Sequence, residues 1–133
     1  MDSKTFNELV DYRCAEIERV LAKKADEYAR GDRLSNFKKA AEIQGIRPEQ
    51  ACVNFMMKHI VSIMDLVHDL DDGKSPAESM LDEKIGDAIN YLILLDGLFR
   101  DRSPMKTEID KRVDELEKDG KITNYGNLGS RLW

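Results

Sequence analysis

This chain has no glycine-rich phosphate loop, no Gly-x-Ser-x-Gly elbow, no Cys/His dyad and no long apolar run. The first absence excludes a Walker-type phosphate nest. The next two remove the familiar serine and cysteine nucleophile arrangements. The longest uninterrupted apolar stretch is Tyr91 to Leu95, far short of the ~20 residues that cross a bilayer, so no membrane partner is expected. The two cysteines, Cys14 and Cys52, belong to no CxxC or Cys/His cluster. They are expected as buried small hydrophobes rather than as a disulfide or zinc ligands. His59 and His68 are nine residues apart, which is not the spacing of a helical zinc pair. A basic excess is also lacking. The net charge is −5, so no global field draws in nucleic acid or anionic lipid, and stable nucleic-acid binding is not expected. A nucleotide can still use a local basic pocket or a metal. The opening residues, MDSKTFNEL, are amphipathic rather than basic-then-apolar. The expected location is the cytosol of a bacterium or of a phage-infected cell.

What is present fits one all-α domain. There are 133 residues, 41% hydrophobic and 35% charged, with no period-two alternation and no internal repeat. The expected architecture is a helical bundle of four main helices plus a short helix, over residues 1–119, with a C-terminal tail at 120–133. A first helix is expected from Thr5 to Ala29, with Phe6, Val10, Ile17, Leu21 and Tyr28 facing the core. Arg30-Gly31-Asp32 ends it, and a loop with a short helix follows to Gln44, closed by Gly45. A second main helix starts at Pro48 and runs to about Leu70, on a stripe of Val53, Met56, Ile60, Ile63, Val67 and Leu70. A third starts at a capping box, Ser75 to Glu78, and runs to Arg100 with Leu81, Ile85, Ala88, Leu92, Leu95 and Phe99 on one face. A fourth spans Met105 to Lys118 on a narrow seam of Ile109, Val113 and Leu116, suited to packing on the outside or on a second subunit.

The third helix carries the most informative pattern. Glu83, Asp87 and Asn90 are spaced i, i+4, i+7, which puts them on one stripe opposite the core face. That stripe continues into Leu94 and Gly97, where the helix is apolar all round, so it runs toward a buried cleft. Close carboxylates repel unless a cation lies between them, and oxygen ligands at this spacing suit Mg²⁺ or Mn²⁺ holding a phosphate chain. A solvated helix face is the plain alternative. The second helix repeats the spacing with Lys58, Ser62 and Asp65, and Asp69 one turn on. If the two helices are antiparallel neighbours, both stripes face one cleft. Lys58 would then meet phosphate or Glu83, and Asp65 would add a metal ligand or orient a water. Between the first and second main helices, Arg33, Asn36, Lys38 and Lys39 can contact phosphate or a base edge. Tyr28 or Phe37 can stack on a base. The same stretch also reads as an ordinary loop, with Ser35 or Asn36 as a helix cap and Phe37 as a core anchor.

These residues carry a resemblance. EKIGDAINY resembles the signature helix of the MazG-like, all-α nucleoside triphosphate pyrophosphohydrolases. The wider pattern is similar to small phage and prophage proteins of the nucleotide-modification-associated type. It consists of Lys24 and Tyr28 before Gly31-Asp32, then Ser35-Asn36-Phe37. Lys58-His59 with Ser62 and Asp65 comes next, followed by Glu83, Asp87, Asn90 and Tyr91. It covers Lys24 to Phe99. The resemblance implies an all-α dimer or tetramer. It also implies a cleft in which paired acids from two helices hold Mg²⁺, and water attack that releases pyrophosphate and a monophosphate. Glu83 and Asp87 match two positions of the second acidic motif. Lys84 stands where the nearer glutamate belongs, and Lys58 to Ser62 occupies the place of the first acidic motif. Glu16 and Glu18 on the first helix do not have that motif's spacing.

Three functions follow as expectations. In the first, the chain hydrolyses a nucleoside triphosphate to monophosphate and pyrophosphate. Glu83, Asp87 and Asp65 hold the metal, and Glu83, Asp87 and Lys58 act in catalysis. Arg33, Asn36, Lys38, Lys39, Asn90 and Tyr91 bind substrate. In the second, it binds or sequesters a nucleotide without cleaving it, which a lysine near the acids favours. In the third, it is an interaction protein whose last helix packs on a partner.

Overall fold

The computed structural model describes residues 1–23, 31–102 and 106–120. Readings that rest on Lys24, Tyr28, Arg30, Met105, Tyr125 or Trp133, and the tail beyond Gly120, lie outside these residues. Every regular element described is helical, as the absence of strand periodicity predicts.

Helix α1 spans Ser3–Glu18, with Asp2 accepting from the Thr5 N–H at 2.8 Å. This satisfies one of the orphan donors at its start. It passes into a π-helical turn, Arg19–Lys23. Helix α2 is Ser35–Gln44, closed by Gly45 at φ 64°, the left-handed conformation in which glycine carries no side-chain penalty. Its start is organised by neither Ser35 nor Asn36. Asp32 accepts the Leu34 N–H through its side chain at 2.9 Å and the Ser35 N–H through its carbonyl at 3.1 Å. Helix α3 spans Pro48–Asp69, with Pro48 at its first turn, and ends in a 3₁₀ turn, Leu70–Asp72. Helix α4 is Glu78–Asp101, and α5 is Lys106–Lys118.

The expected capping box at Ser75 does not form. Ala77 is the N-cap, in extended conformation and without a side-chain cap. Helix α4 therefore begins two residues, about half a turn, later than the box requires, and Glu78 is its first residue rather than its third. There it faces the positive end of the helix dipole.

Helices α3 and α4 are antiparallel neighbours. Glu49 pairs with Arg102 near one end, and His59 meets Asp87 further along. Helix α2 lies across them, and α1 lies along the first half of α4. The core comprises Leu34, Phe37, Cys52 and Leu98, with Tyr91, Leu94 and Leu95 packed around it. Ala41 and Ala51 are fully enclosed, and their small side chains let α2 approach closely. Phe37 is the anchor of α2, its ring tilted against Phe55 at 6.0 Å and edge-on to Tyr91 at 6.2 Å.

The packed faces differ from the expected stripes. On α3 the buried line is Cys52, His59 and Leu66, about 100° of helix rotation from Val53, Ile60 and Val67. Val67 is 61% exposed, as are Leu92 at 53% and Phe99 at 56% on α4. Each helix is apolar over a wider arc than its neighbour covers. Helix α1 buries no side chain completely, and Phe6 and Val10 stand largely open. The two cysteines also part company: Cys52 is buried as expected, but Cys14 is exposed.

Candidate functional site

Between α1 and α4 lies a cavity of about 260 Å³. From α1 and its π turn it is lined by Arg13, Glu16, Ile17, Arg19 and Val20, and from α4 by Asp82, Glu83, Gly86, Asp87, Ile89 and Asn90. The i, i+4, i+7 stripe thus supplies one wall, because α1 packs over that side of α4. Gly86 lies beneath Arg13, whose Nη1 stands 3.4 Å from where a β-carbon would be, an ordinary contact distance. The π turn widens the helix where Arg19 and Val20 face the cavity. Such turns recur at functional sites.

The polar groups are arranged as pairs. Asp82 accepts from Tyr12 Oη at 2.8 Å and meets Arg13 Nη2 at 3.1 Å. The carboxylate beside it holds the Tyr12 phenol above its ordinary range. Glu16 accepts from two nitrogens of Arg19, Nη2 at 2.8 Å and Nε at 3.1 Å, and is held below the usual carboxylate range by them. Glu83 accepts from Lys84 Nζ at 2.6 Å, which lowers its pKa. Asp87 Oδ2 lies 3.4 Å from His59 Nδ1, and the His59 ring is tilted on Tyr91 at 5.2 Å. Asn90 differs from all of these. It is 8% exposed, and its Oδ1 is buried without a hydrogen-bond partner. A buried acceptor left open costs about 1–3 kcal/mol, so this atom is a position at which an incoming donor gains most.

The expected site residues divide. Glu83, Asp87 and Asn90 share the cavity wall. Tyr91, next to Asn90, turns into the core, and burial raises its phenol pKa. Lys58 and Asp65 are exposed on α3 and do not line the cavity. They lie about 100° around the helix from the packed line of His59 and Leu66. Lys38 is a strut, its ammonium 2.7 Å from Asp32 and 2.9 Å from Asp101. Those two carboxylates raise its pKa, and Lys38 in turn lowers that of Asp32. Arg33 is half-buried, and burial lowers its pKa. Asn36 and Lys39 are exposed at the start of α2. None of these four lines the cavity. The sequence reading did not select Arg13, Arg19 and Asp82, and it set Glu16 aside on spacing. Arg13, Glu16 and Arg19 do recur every three residues, a polar line on α1 that was the available signal.

Four carboxylates line the cavity: Asp82, Glu16 and Glu83 each have a cationic partner, and Asp87 faces the His59 ring at 3.4 Å. Among the described residues no three His, Cys, Asp or Glu side chains are grouped so as to hold a metal ion. Glu83 and Asp87 share the cavity wall, and Asp65 lies outside it. The chain matches no family model, no curated protein and no solved structure. Its reading therefore rests on its own residues. No helix among the described residues is long and apolar enough to cross a membrane.

Proposed function

We propose that the cavity between α1 and α4 takes a nucleoside triphosphate accompanied by its divalent cation, Mg²⁺ or Mn²⁺, and that the chain hydrolyses it to monophosphate and pyrophosphate. This would make it a divergent relative of the MazG-like enzymes. The observation that carries the reading is the cavity's composition. Four carboxylates and two guanidinium groups line it together with Asn90, whose Oδ1 is buried without a hydrogen-bond partner. The wall carries more negative than positive charge, so a bare triphosphate is repelled, whereas one that brings its own cation is not. Arg13 and Arg19 are placed to exchange their carboxylate partners for phosphate oxygens, a charge-assisted bond of equal kind. Asn90 Oδ1 would accept from a base amino group or a sugar hydroxyl. Asp87 keeps its orientation through His59.

A second reading is nucleotide binding without cleavage. The pairing of Asp82, Glu16 and Glu83 with cationic neighbours favours it, since those three acids are already engaged.

The test is a panel of nucleoside triphosphates with Mg²⁺ or Mn²⁺, reading pyrophosphate release and thermal shift together. Hydrolysis requires product that vanishes with EDTA and in Asp87→Ala, while the variant keeps its helical circular dichroism. Stabilisation by a nucleotide with no product would select the binding reading. Neither product nor shift with any nucleotide would refute both.

A further inference from the structure

Helix α3 begins beside the end of α4, and a groove of about 390 Å³ lies between the two. Val53 of α3 with Leu95 and Phe99 of α4 give it an apolar lining, and Arg47, Glu49 and Arg102 add charge. None of these residues lines the α1–α4 cavity, so the groove is separate from the nucleotide reading.

Glu49 is out of keeping with its surroundings. It is 8% exposed, yet neither of its carboxylate oxygens accepts a hydrogen bond. Arg102 stands beside Oε1 as an ion pair, but the Arg102 side chain is 54% exposed and can turn away without opening the core. Buried carboxylates normally gather donors, because leaving their oxygens open is costly. The start of α3 is open as well. Pro48 has no N–H, and Arg47 at the N-cap has no side-chain acceptor. The first-turn N–H groups of Glu49 and Gln50 are thus without a side-chain cap from Arg47, at the positive end of a 22-residue helix. Gln50 also lines the groove.

These groups call for both signs of charge side by side. A lone ammonium would satisfy Glu49 but would sit beside two guanidinium groups. A lone carboxylate would satisfy the guanidinium groups and the helix start but would leave Glu49 bare. We propose that the groove binds a free α-amino acid with a large apolar side chain, of the leucine or phenylalanine class. Its ammonium donates to Glu49 in a charge-assisted bond. Arg102 turns from Glu49 to the ligand carboxylate, which also meets Arg47 and the N–H groups at the start of α3. The ligand side chain lies over Val53, Leu95 and Phe99. Every charge then has an opposite neighbour, and the groove volume lies in the range of small-molecule sites.

Titration calorimetry of the full chain with L-leucine and L-phenylalanine tests this. Saturable binding at about 1 mM or below is expected, within the ceiling for a ligand of so few atoms. Isoamylamine and isocaproate, which each keep one charged group of leucine, should bind at least about tenfold more weakly. Leucine should weaken by about the same factor against Glu49→Gln, Phe99→Ala and Arg47→Ala. Phe99 and Arg47 are exposed, so those two variants should keep the parent's melting temperature and helical circular dichroism. They keep the test open if Glu49→Gln does not fold. No heat and no thermal shift with either amino acid at about 10 mM would overturn the proposal. So would isocaproate or N-acetylleucine binding as tightly as leucine, which would leave Glu49 a structural partner of Arg102 only. Full affinity in both Phe99→Ala and Arg47→Ala would place the ligand elsewhere and overturn it equally.

Discussion

Replacing Asn90 by leucine should make this protein more stable and less able to bind its ligand. Asn90 is 8% exposed, and its Oδ1 has lost water without gaining a donor. Removing an unsatisfied buried acceptor returns about 1–3 kcal/mol. Leucine also suits a helix interior better than asparagine, by a few tenths of a kcal/mol. Against this stand an imperfect fit of the branched side chain and an apolar surface presented to a partly open cavity. The net expectation is a gain of about 1–2 kcal/mol. For a chain of this size that is roughly 3–6 °C in melting temperature, with an unchanged denaturant m-value. Nucleotide affinity should fall at least tenfold, because the unengaged acceptor that Asn90 contributes to the cavity wall is gone. Calorimetry and urea titration of Asn90→Leu beside the parent would read the first effect, and ligand titration the second. A variant destabilised by more than 1 kcal/mol would refute the reasoning. It would show that the Asn90 amide is a satisfied structural group, and the cavity would lose its main mark of function.

Other expectations concern the scaffold. Leu98→Ala, at a position 2% exposed in the core cluster, should cost about 2–5 kcal/mol in chemical denaturation. Lys38→Met should cost about 1 kcal/mol or less near neutral pH, because the Lys38 strut is part-exposed and screened. Asp32 is lowered below its ordinary 3.8, so its share is present above that pH and is lost as pH falls through the lowered folded value. Lys38 is raised above 10.5, so its share persists below that pH and is lost as pH rises through the raised value. The stability difference between parent and variant, followed by denaturation, should therefore be flat between those limits and shrink beyond them. Burial pushes the Cys52 thiol up to about 11, while Cys14 is exposed. A thiol reagent at pH 8 should modify Cys14 alone in the native chain and both cysteines in denaturant.

The helices were legible because their signals are local. Pro48 and Gly45 set their boundaries by backbone conformation, which no tertiary contact needs to supply. The Glu83, Asp87 and Asn90 stripe was legible as a shared face, since helix periodicity alone fixes it. What covers that face was not. Arg13 and Arg19 reach the cavity because of where α1 lies and how its π turn places them, and one helix's spacing does not encode either. The packed face of α3 was misplaced for a related reason. Its apolar residues span so wide an arc that hydrophobicity does not say which edge meets α4, and His59 on the buried line looked polar. Lys38 carried the composition of a phosphate ligand. Its partner Asp101 is 63 positions away, and only the fold brings the two together.

Helix α4 meets three different neighbours in a fixed order along its length. Gly86 lies under Arg13 of α1, Tyr91 against Cys52 of α3, and Gly97 under Leu34, 3.8 Å from the place of its missing β-carbon. One unbroken helix fixes the angles between these contacts. Deleting a single residue between Gly86 and Gly97 turns everything after it by about 100°. Gly97 would leave Leu34, and Leu98 would leave the core. The connection at 74–77 has no such constraint. Changes in chain length should therefore be accepted between α3 and α4 and rejected within α4, so natural insertions and deletions should cluster before Glu78.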